Sequence, residues 1–245
     1  MSRRSRRANI ILLILLGDLV MGLWLVISNL FVDYQGLYRH ISLSSVLDFE
    51  TIETIVLIVL EIGLAVGFFL YFRNTKSHQT FRENVLKMIA EGENNNVEFK
   101  QTLRWDVKER KLNKALEGVI LKTISGFLNA DGGTVILGVT DKRKIVGIGK
   151  DYKTLPKKSC DGFENHLSQL LIENFGLKIR KKITIDFAEF YKNQICIVGV
   201  GKNNEPVYLK DGQDEYFFVR VGNGTRPLSI SKATEYIKDH WPESR

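Results

Sequence analysis

The sequence predicts an α+β domain of residues 92–245, preceded by a hairpin of two membrane-spanning helices. Residues 8–72 are mostly apolar and carry one basic and six acidic residues, whereas residues 73–245 carry 30 basic and 22 acidic residues. Within the second part, helical and strand patterns follow each other irregularly, and paired strands come late in the chain. This order favours a mixed sheet with flanking helices over a regular parallel array.

The amino-acid composition excludes several classes of protein. The 245 residues include 35 Lys+Arg, 28 Asp+Glu and two Cys, with ordinary apolar and charged shares. These values exclude a disordered tail, a collagen and a disulfide scaffold. The basic excess lies in residues 73–245 and favours a polyanionic partner or an anionic membrane surface.

Two apolar segments predict membrane helices over residues 9–32 and 51–72, because about 20 apolar residues span a bilayer. A basic tail, 1–8, precedes the first segment, and the intervening loop, 33–50, carries three acids and one Arg. Positive flanks stay in the cytoplasm. We therefore expect a two-pass protein of the inner or plasma membrane with both termini and the following domain in the cytoplasm. A cleaved signal peptide is the competing interpretation of the first segment, but no small-residue cleavage site follows it.

Polar and small residues inside these segments have two interpretations. Asp18 and Glu61 lie near mid-span, where a charge is costly. Either they form a sensor or oligomer contact, or they share a proton as a structural clasp. Gly63 and Gly67 form a GxxxG spacing, which lets another helix approach closely.

Periodicity predicts the remaining elements in order. A linker helix, 73–91, has apolar residues on one face, and a broad apolar stripe predicts the best helix at 109–129. Strict alternation predicts strands, and Gly176 is a suitable helix C-cap. The other elements are strand 96–102, strand 131–139, a short strand after the turn 140–144, helix 161–176, hairpin 181–191 with 194–201, two further strands, and helix 231–241.

Several common sites are missing from the sequence. There is no phosphate-binding P-loop, no G-x-G-x-x-G and no G-x-S-x-G motif. The four His are scattered and the two Cys form no CxxC pair, so the sequence predicts no structural zinc site.

Carboxylates are the remaining candidates for chemistry. Glu98 lies on a predicted strand, Glu93 precedes it, and Asp141 follows the strand that ends at Val139. If these strands are neighbours, the three acids converge and suit Mg²⁺ or Mn²⁺. Such an ion activates water and neutralises a phosphodiester, and Lys100 or Arg104 would hold the phosphate. The alternative is that each acid is a solvated surface group.

Further basic residues are candidates for nucleic-acid contact. Arg220 and Arg226 flank a GNGT turn, and Lys142, Arg143 and Lys144 form a basic run. Arg220 alternatively pairs with a neighbour in the sheet, and the run alternatively forms a solvated face.

Three sequence blocks carry a family resemblance: ENNNVEFK, ISGFLNADGGTVILGVTD and FVRVGNGT. Over residues 90–230 they resemble the AlbA-like core of the Schlafen family, also described as a divergent AAA-type module. The resemblance implies a single lobe in which Glu93, Glu98 and Asp141 hold a divalent metal and cut RNA, chiefly transfer and ribosomal RNA. Larger members have two lobes, so a single lobe implies a homodimer or higher homo-oligomer.

The sequence thus leads to the hypothesis of a membrane-anchored, metal-dependent endoribonuclease that acts on structured RNA such as tRNA, with a role in stress or antiviral response. One alternative is a non-catalytic nucleic-acid- or nucleotide-binding regulatory module tethered to the membrane. Another is an interaction protein whose membrane-segment oligomer is its function.

Overall fold

The computed structural model describes residues 49–242, and the chain divides into two units, Met1–Tyr71 and Phe72–Arg245. A long helix, α1 (Phe49–Glu91), crosses the boundary between them. Its Val56–Glu91 portion is the one helix among the described residues that is long and apolar enough to cross a membrane, judged by length and composition alone. The second predicted span, 51–72, falls within this helix.

The predicted two-helix hairpin remains a prediction. The basic tail, the first span at 9–32, Asp18 and all but two residues of the predicted loop lie outside the described residues. Glu61 is exposed on α1, and a side chain placed at Gly63 or Gly67 would meet no atom within 4 Å.

A four-stranded sheet forms the centre of the second unit, in the order β1-β4-β6-β5. β1 is parallel to β4, while β4 with β6 and β5 with β6 are antiparallel, so the sheet is mixed as expected. Its strands are β1 (Val97–Lys100), β4 (Gly133–Leu137), β5 (Ile183–Phe190) and β6 (Asn193–Val200).

Helices cover both faces of this sheet because its central strands are apolar on both sides. In β4, Val135 and Leu137 join one buried cluster and Ile136 joins the other, as strand alternation requires. The first cluster packs against α2 (Ala115–Leu128) and α4 (Cys160–Arg180). The second includes Val85 and Ile89 from the end of α1. That end of α1, within the predicted linker helix 73–91, therefore packs on the sheet as one layer of the domain.

The C-terminal part adds two small antiparallel pairs and a helix. They are β7 (Leu209–Asp211) with β8 (Asp214–Tyr216), β9 (Phe218–Val221) with β10 (Gly224–Pro227), and α5 (Ile230–His240). Phe217, Val219, Ala233 and Trp241 form their own buried cluster.

The structure corrects three details of the predicted elements. The helix predicted over 109–129 begins only at Ala115, because β2 (Trp105–Asp106) and β3 (Lys111–Leu112) form a small hairpin before it. The short strand predicted after the 140–144 turn is a single bridge between Val139 and Ile145, followed by α3 (Gly149–Tyr152). Gly176 does adopt a positive φ, but helical structure resumes after it and continues to Arg180.

Candidate functional site

Glu98 lies on β1, directly beside Val135 of β4. One carboxylate oxygen accepts a hydrogen bond from Lys100 Nζ, and the other accepts one from Arg220 Nη1 at 2.7 Å. The Glu98 side chain is 12% exposed. Both oxygens of this predicted catalytic acid are therefore engaged by cations of the protein itself.

Arg220, on β9, is almost fully buried and has several partners besides Glu98. Its Nη2 donates to the carbonyl oxygens of Asn94 at 2.7 Å and Val97 at 3.3 Å, and its Nε donates to Asn95 O at 3.3 Å. The guanidinium also lies over the Phe127 ring, 4.9 Å from its centroid. Arg220 thus joins β9 to the loop before β1. Its ion-pair partner Glu98 is on β1 of the four-stranded sheet, whereas Arg220 is on the separate β9–β10 pair, so this ion pair joins two sheets and is not a contact between neighbours within one sheet.

The other two acids lie in different surroundings. Glu93 is half-buried and its Oε1 accepts a hydrogen bond from the Phe99 backbone N–H at 2.8 Å. Asp141 is exposed in the turn after β4, which is closed by the Arg143 N–H donating to Thr140 O at 2.7 Å.

The structure does not bring these acids together as a metal site. Among residues 49–242, no three His, Cys, Asp or Glu side chains are arranged so that they could hold an ion. Glu98 is paired with two cations, Glu93 holds a backbone amide, and Asp141 lies in solvent. In this arrangement the three carboxylates do not fit Mg²⁺ or Mn²⁺, which would need oxygen ligands converging at one point. β1 and β4 are neighbours, which is the condition that the sequence analysis set, but Glu98 and Glu93 have their hydrogen-bond partners within the protein.

Arg143 differs from the two lysines beside it. Its Nη1 donates to Ala90 O at 2.7 Å, at the C-terminal end of α1, where helix carbonyls lack partners. Gly92 has a φ of +90°, and a side chain there would meet the Arg143 guanidinium at 2.8 Å. Lys142 and Lys144 are exposed, and the structure describes no side-chain partner for them. In this basic run, Arg143 therefore caps the C-terminus of α1, and Lys142 and Lys144 are exposed to solvent.

Arg104 is buried and cannot serve as the surface phosphate contact that the sequence predicts. Its Nε lies 3.1 Å from Glu117 Oε1, and its Nη1 lies 3.3 Å from His166 Nε2. The neighbouring Asp151 carboxylate accepts hydrogen bonds from the backbone N–H groups of Arg104 and Trp105. Burial raises the pKa of Asp151, against the lowering effect of these donors. Arg226, by contrast, is exposed on β10.

Asn129 joins segments that are far apart in sequence. Its side-chain amide donates to Val207 O at 2.7 Å and to Phe218 O at 2.9 Å, and its Oδ1 accepts from the Val207 N–H at 2.8 Å. Its carbonyl accepts from the Tyr236 hydroxyl at 2.8 Å. These four contacts give Asn129 a structural role in joining α2 to the C-terminal segments.

Sequence reasoning missed a groove between α2 and the C-terminal strands. Its volume is about 580 Å³, and Lys114, Gly118 and Lys122 lie along its α2 side. Lys210, Leu209, Tyr216 and Phe218 lie along the opposite side. The Tyr216 and Phe218 rings are stacked, with centroids 5.8 Å apart and planes at 25°.

The sequence contained a signal for this groove. Lys114, Gly118 and Lys122 are spaced four apart, which places them on one face of a helix. Tyr216 and Phe218 alternate in a strand-like segment, which places them on one side. This pattern indicates a groove only if the helix and the strand-like segment are neighbours in the fold. Sequence spacing alone does not show whether they are.

Two solved structures and one family model are similar to parts of this chain. The DIP2311 protein from Corynebacterium diphtheriae is similar at 18% identity and a TM-score of 0.43 over 60% of this chain, which spans only 27% of that protein. The N-terminal domain of a RecG-related protein from Nitrosomonas europaea is similar at 17% identity and a TM-score of 0.32, over 46% of this chain and 76% of that domain. Comparison with curated proteins gave no match. The family model described as Schlafen, AlbA_2 matches residues 93–229, which is more than half of the sequence. The chain therefore belongs to the Schlafen AlbA_2 family, as its three sequence blocks predict.

Proposed function

We propose that residues 93–229 form a nucleic-acid-binding domain in which the predicted catalytic carboxylates serve the fold. Membership of the Schlafen AlbA_2 family suggests a function related to nucleic acids. The observation that carries the non-catalytic form of this proposal is the pairing of Glu98 with Lys100 and Arg220. Both Glu98 oxygens already have a cation of the protein as partner, and Arg220 is held in place by four other contacts.

Surface charge supports binding of a polyanion. Residues 73–245 carry 30 basic and 22 acidic residues, and Lys142, Lys144 and Arg226 are exposed. Cations without an acidic partner gain most from a phosphate, because binding releases counterions without breaking an existing ion pair. These three residues are the phosphate contacts that we retain from the sequence analysis.

Metal-dependent cleavage of tRNA-like RNA stays a sequence-based prediction and is tested by the same experiment. The full chain in mild detergent is mixed with labelled tRNA, single-stranded RNA or DNA, in Mg²⁺, Mn²⁺ or a chelator. We expect binding that weakens steeply with salt, is indifferent to the chelator and leaves the nucleic acid intact. The appearance of a Mn²⁺-dependent product that Glu98→Gln abolishes would contradict the non-catalytic proposal.

Matched charge variants locate the binding. Lys142→Gln with Lys144→Gln removes two of the exposed cations proposed as phosphate contacts, and Lys232→Gln with Lys238→Gln removes two exposed cations of α5. We expect the first pair to weaken binding several-fold. Equal weakening by both pairs would mean that only net charge matters.

We also propose that the predicted spans anchor this domain to the inner or plasma membrane, with the domain in the cytoplasm. Support comes from the apolar part of α1, where Val59, Leu64 and Phe69 are exposed. Resistance of the full chain to alkaline extraction from membranes would be expected, and its release would contradict the anchor.

Self-association through the same segment is a separate proposal. Gly63 and Gly67 leave open space on α1 and would allow a second copy to pack closely. Gly63→Ile with Gly67→Ile should then reduce oligomer size in detergent, measured by sedimentation, whereas Gly149→Ala, at another open glycine, should not.

A further inference from the structure

The groove between α2 and the C-terminal strands combines lysines with two stacked aromatic rings. We propose that it binds unpaired nucleotides of a single-stranded nucleic acid, by stacking bases on Tyr216 and holding phosphates with Lys114, Lys122 and Lys210. This inference rests on the proposed nucleic-acid-binding function and assigns it a site. The groove lies entirely within the unit Phe72–Arg245.

The aromatic pair gives the groove a face for bases. Phe218 is 8% exposed and forms part of the floor, whereas Tyr216, stacked against it, is 38% exposed. A half-exposed ring supported from behind presents a fixed flat surface. Base–aromatic stacking on such a surface is tolerant of sequence because every base has a flat face. Leu209 and Leu121, both buried, complete the apolar floor.

The lysines surround this floor from two sides. Lys114 and Lys122 are separated by two helical turns, about 12 Å along α2. The Lys122 ammonium lies 5.3 Å from the Phe218 ring centroid, so charge and aromatic surface are adjacent. Lys210 has an acidic partner, Glu215, at 3.6 Å, but both side chains are more than half exposed. A solvated pair of this kind is weak and yields to a phosphate.

The shape favours a strand of nucleotides over a membrane surface. A cavity of about 580 Å³ is of the size that accepts a small molecule or one residue of a polymer. A flat anionic bilayer would contact the lysines at the edges but would leave the recessed aromatic floor unused. An extended single strand can place a base on the floor and its phosphates at the edges.

Gly118 allows a blocking substitution that keeps the helix intact. It lies on α2 between Lys114 and Lys122, and a side chain there would meet no atom within 4 Å. Gly118→Glu fills the groove and places a carboxylate four residues from each lysine, where it also supports the helix. Gly118→Ala is the control for helix propensity. Lys238→Gln, on α5, makes the same change of one charge unit away from the groove.

The test uses the full chain in mild detergent and three probes: a labelled uridine 20-mer, an abasic 20-mer of equal charge and a 20-base-pair duplex. We expect the uridine 20-mer to bind at least about tenfold more tightly than the abasic strand, because stacking adds to charge. Tyr216→Ala should remove that preference. Gly118→Glu should weaken uridine binding about tenfold or more, and Gly118→Ala and Lys238→Gln should each change it less than about twofold.

Three other outcomes would each contradict a different part of the proposal. If the uridine and abasic strands bind equally and Gly118→Glu binds like Gly118→Ala, the groove is not the site, while nucleic-acid binding stands. If none of the three probes binds, the proposed function fails and the groove inference fails with it. Binding to phosphatidylserine vesicles that Gly118→Glu abolishes, without binding to any oligomer, would assign the lysines to a membrane surface instead.

Discussion

Two basic regions of the domain use arginine and lysine in opposite ways. Around Glu98, the Arg220 side chain is 3% exposed and its guanidinium is hydrogen-bonded to a carboxylate and three backbone carbonyls. In the α2 groove, lysines stand at the edge of an apolar floor, and one of them has only a solvated acidic partner. A buried cation that is fully paired stabilises one arrangement of the chain, whereas an exposed cation remains available to a ligand.

This contrast has a practical lesson for site assignment. A motif that contains acids and a basic residue in the right order is consistent with both catalysis and an internal ion network. The hydrogen-bond and ion-pair partners of each charged atom in the folded structure decide between catalysis and an internal ion network. Here the sequence blocks identify the family, and the contacts of Glu98 and Arg220 indicate a structural role for those two residues.

Removal of the Arg220 side chain is the strongest test of this difference between a buried, paired arginine and the exposed lysines of the groove. Arg220→Ala leaves Glu98 with one cation and leaves three carbonyl oxygens without that donor, so we expect a loss of about 3–5 kcal/mol in the free energy of unfolding. Arg226→Ala, on the paired strand, should leave that free energy nearly unchanged because the side chain is exposed. Urea denaturation of both variants measures the difference. Similar midpoints for the two would remove the basis for calling Arg220 structural.

The groove lysines should affect binding more than stability. Lys114→Gln with Lys122→Gln should reduce the slope of log affinity against log salt for a uridine 20-mer by about 1.4, at about 0.7 for each lost phosphate contact. Their urea midpoint should stay close to that of the native chain. An unchanged slope would mean that these lysines do not meet phosphate. Lys232→Gln with Lys238→Gln provides the matched control.

The basic turn offers a comparison between adjacent residues. Arg143→Ala removes the hydrogen bond to Ala90 O and should cost about 1 kcal/mol of stability. Lys142→Ala should cost little stability but should weaken nucleic-acid binding. Thermal unfolding and binding assays on both variants check this crossed pattern. The same response from both variants would contradict the division of roles within the turn.

The smallest expected effect concerns the pH dependence of stability. Burial raises the pKa of Asp151 above 3.8, so the folded protein holds this proton more tightly than the unfolded chain does. The stability that Asp151 contributes through this tighter proton binding is complete below the pKa of the unfolded chain. It is lost as pH rises through the higher pKa of the folded protein. Asp151→Asn does not titrate, and its stability relative to the native chain should therefore increase from pH 3 to pH 7.

A second carboxylate supplies the opposite sign. A hydrogen bond from Lys157 lowers the pKa of Asp161, so the stability of Asp161→Asn relative to the native chain should decrease as pH rises. Denaturation curves at several pH values give both trends. Parallel trends for the two variants would show that the Asp151 environment is not the cause.

Sequence reasoning succeeded where structure depends on local pattern. Alternation in 181–191 and 194–201 predicted the hairpin of β5 and β6. The apolar stripe of 109–129 predicted a helix in the region where α2 lies. The hairpin before α2 was missed because an apolar residue such as Leu112 continues the helical period although it lies in a strand. Local pattern does not distinguish these two states when the strand is only two residues long.

The candidate site depended on partners that are distant in sequence. Glu98 and Arg220 are 122 positions apart, and Arg143 reaches the carbonyl of Ala90, 53 positions earlier. No spacing rule connects such residues, so the sequence allowed Glu98 to be free and Arg220 to be exposed. The groove was missed for the same reason, since α2 and β8 become neighbours only in the folded chain.

The packing of α1 on the sheet has a consequence for synthesis. Val85 and Ile89 share a buried cluster with Ile195 and Ile197 of β6, so the helix is synthesised long before the last strand that completes this cluster. At about 5–20 residues per second, the interval of about 110 residues lasts roughly 5 to 20 s. During that interval the apolar face of a nascent helix is available to chaperones or to another nascent chain. Chains that stop short of β6 should therefore be retained by chaperones, whereas release should follow translation of the β5–β6 hairpin.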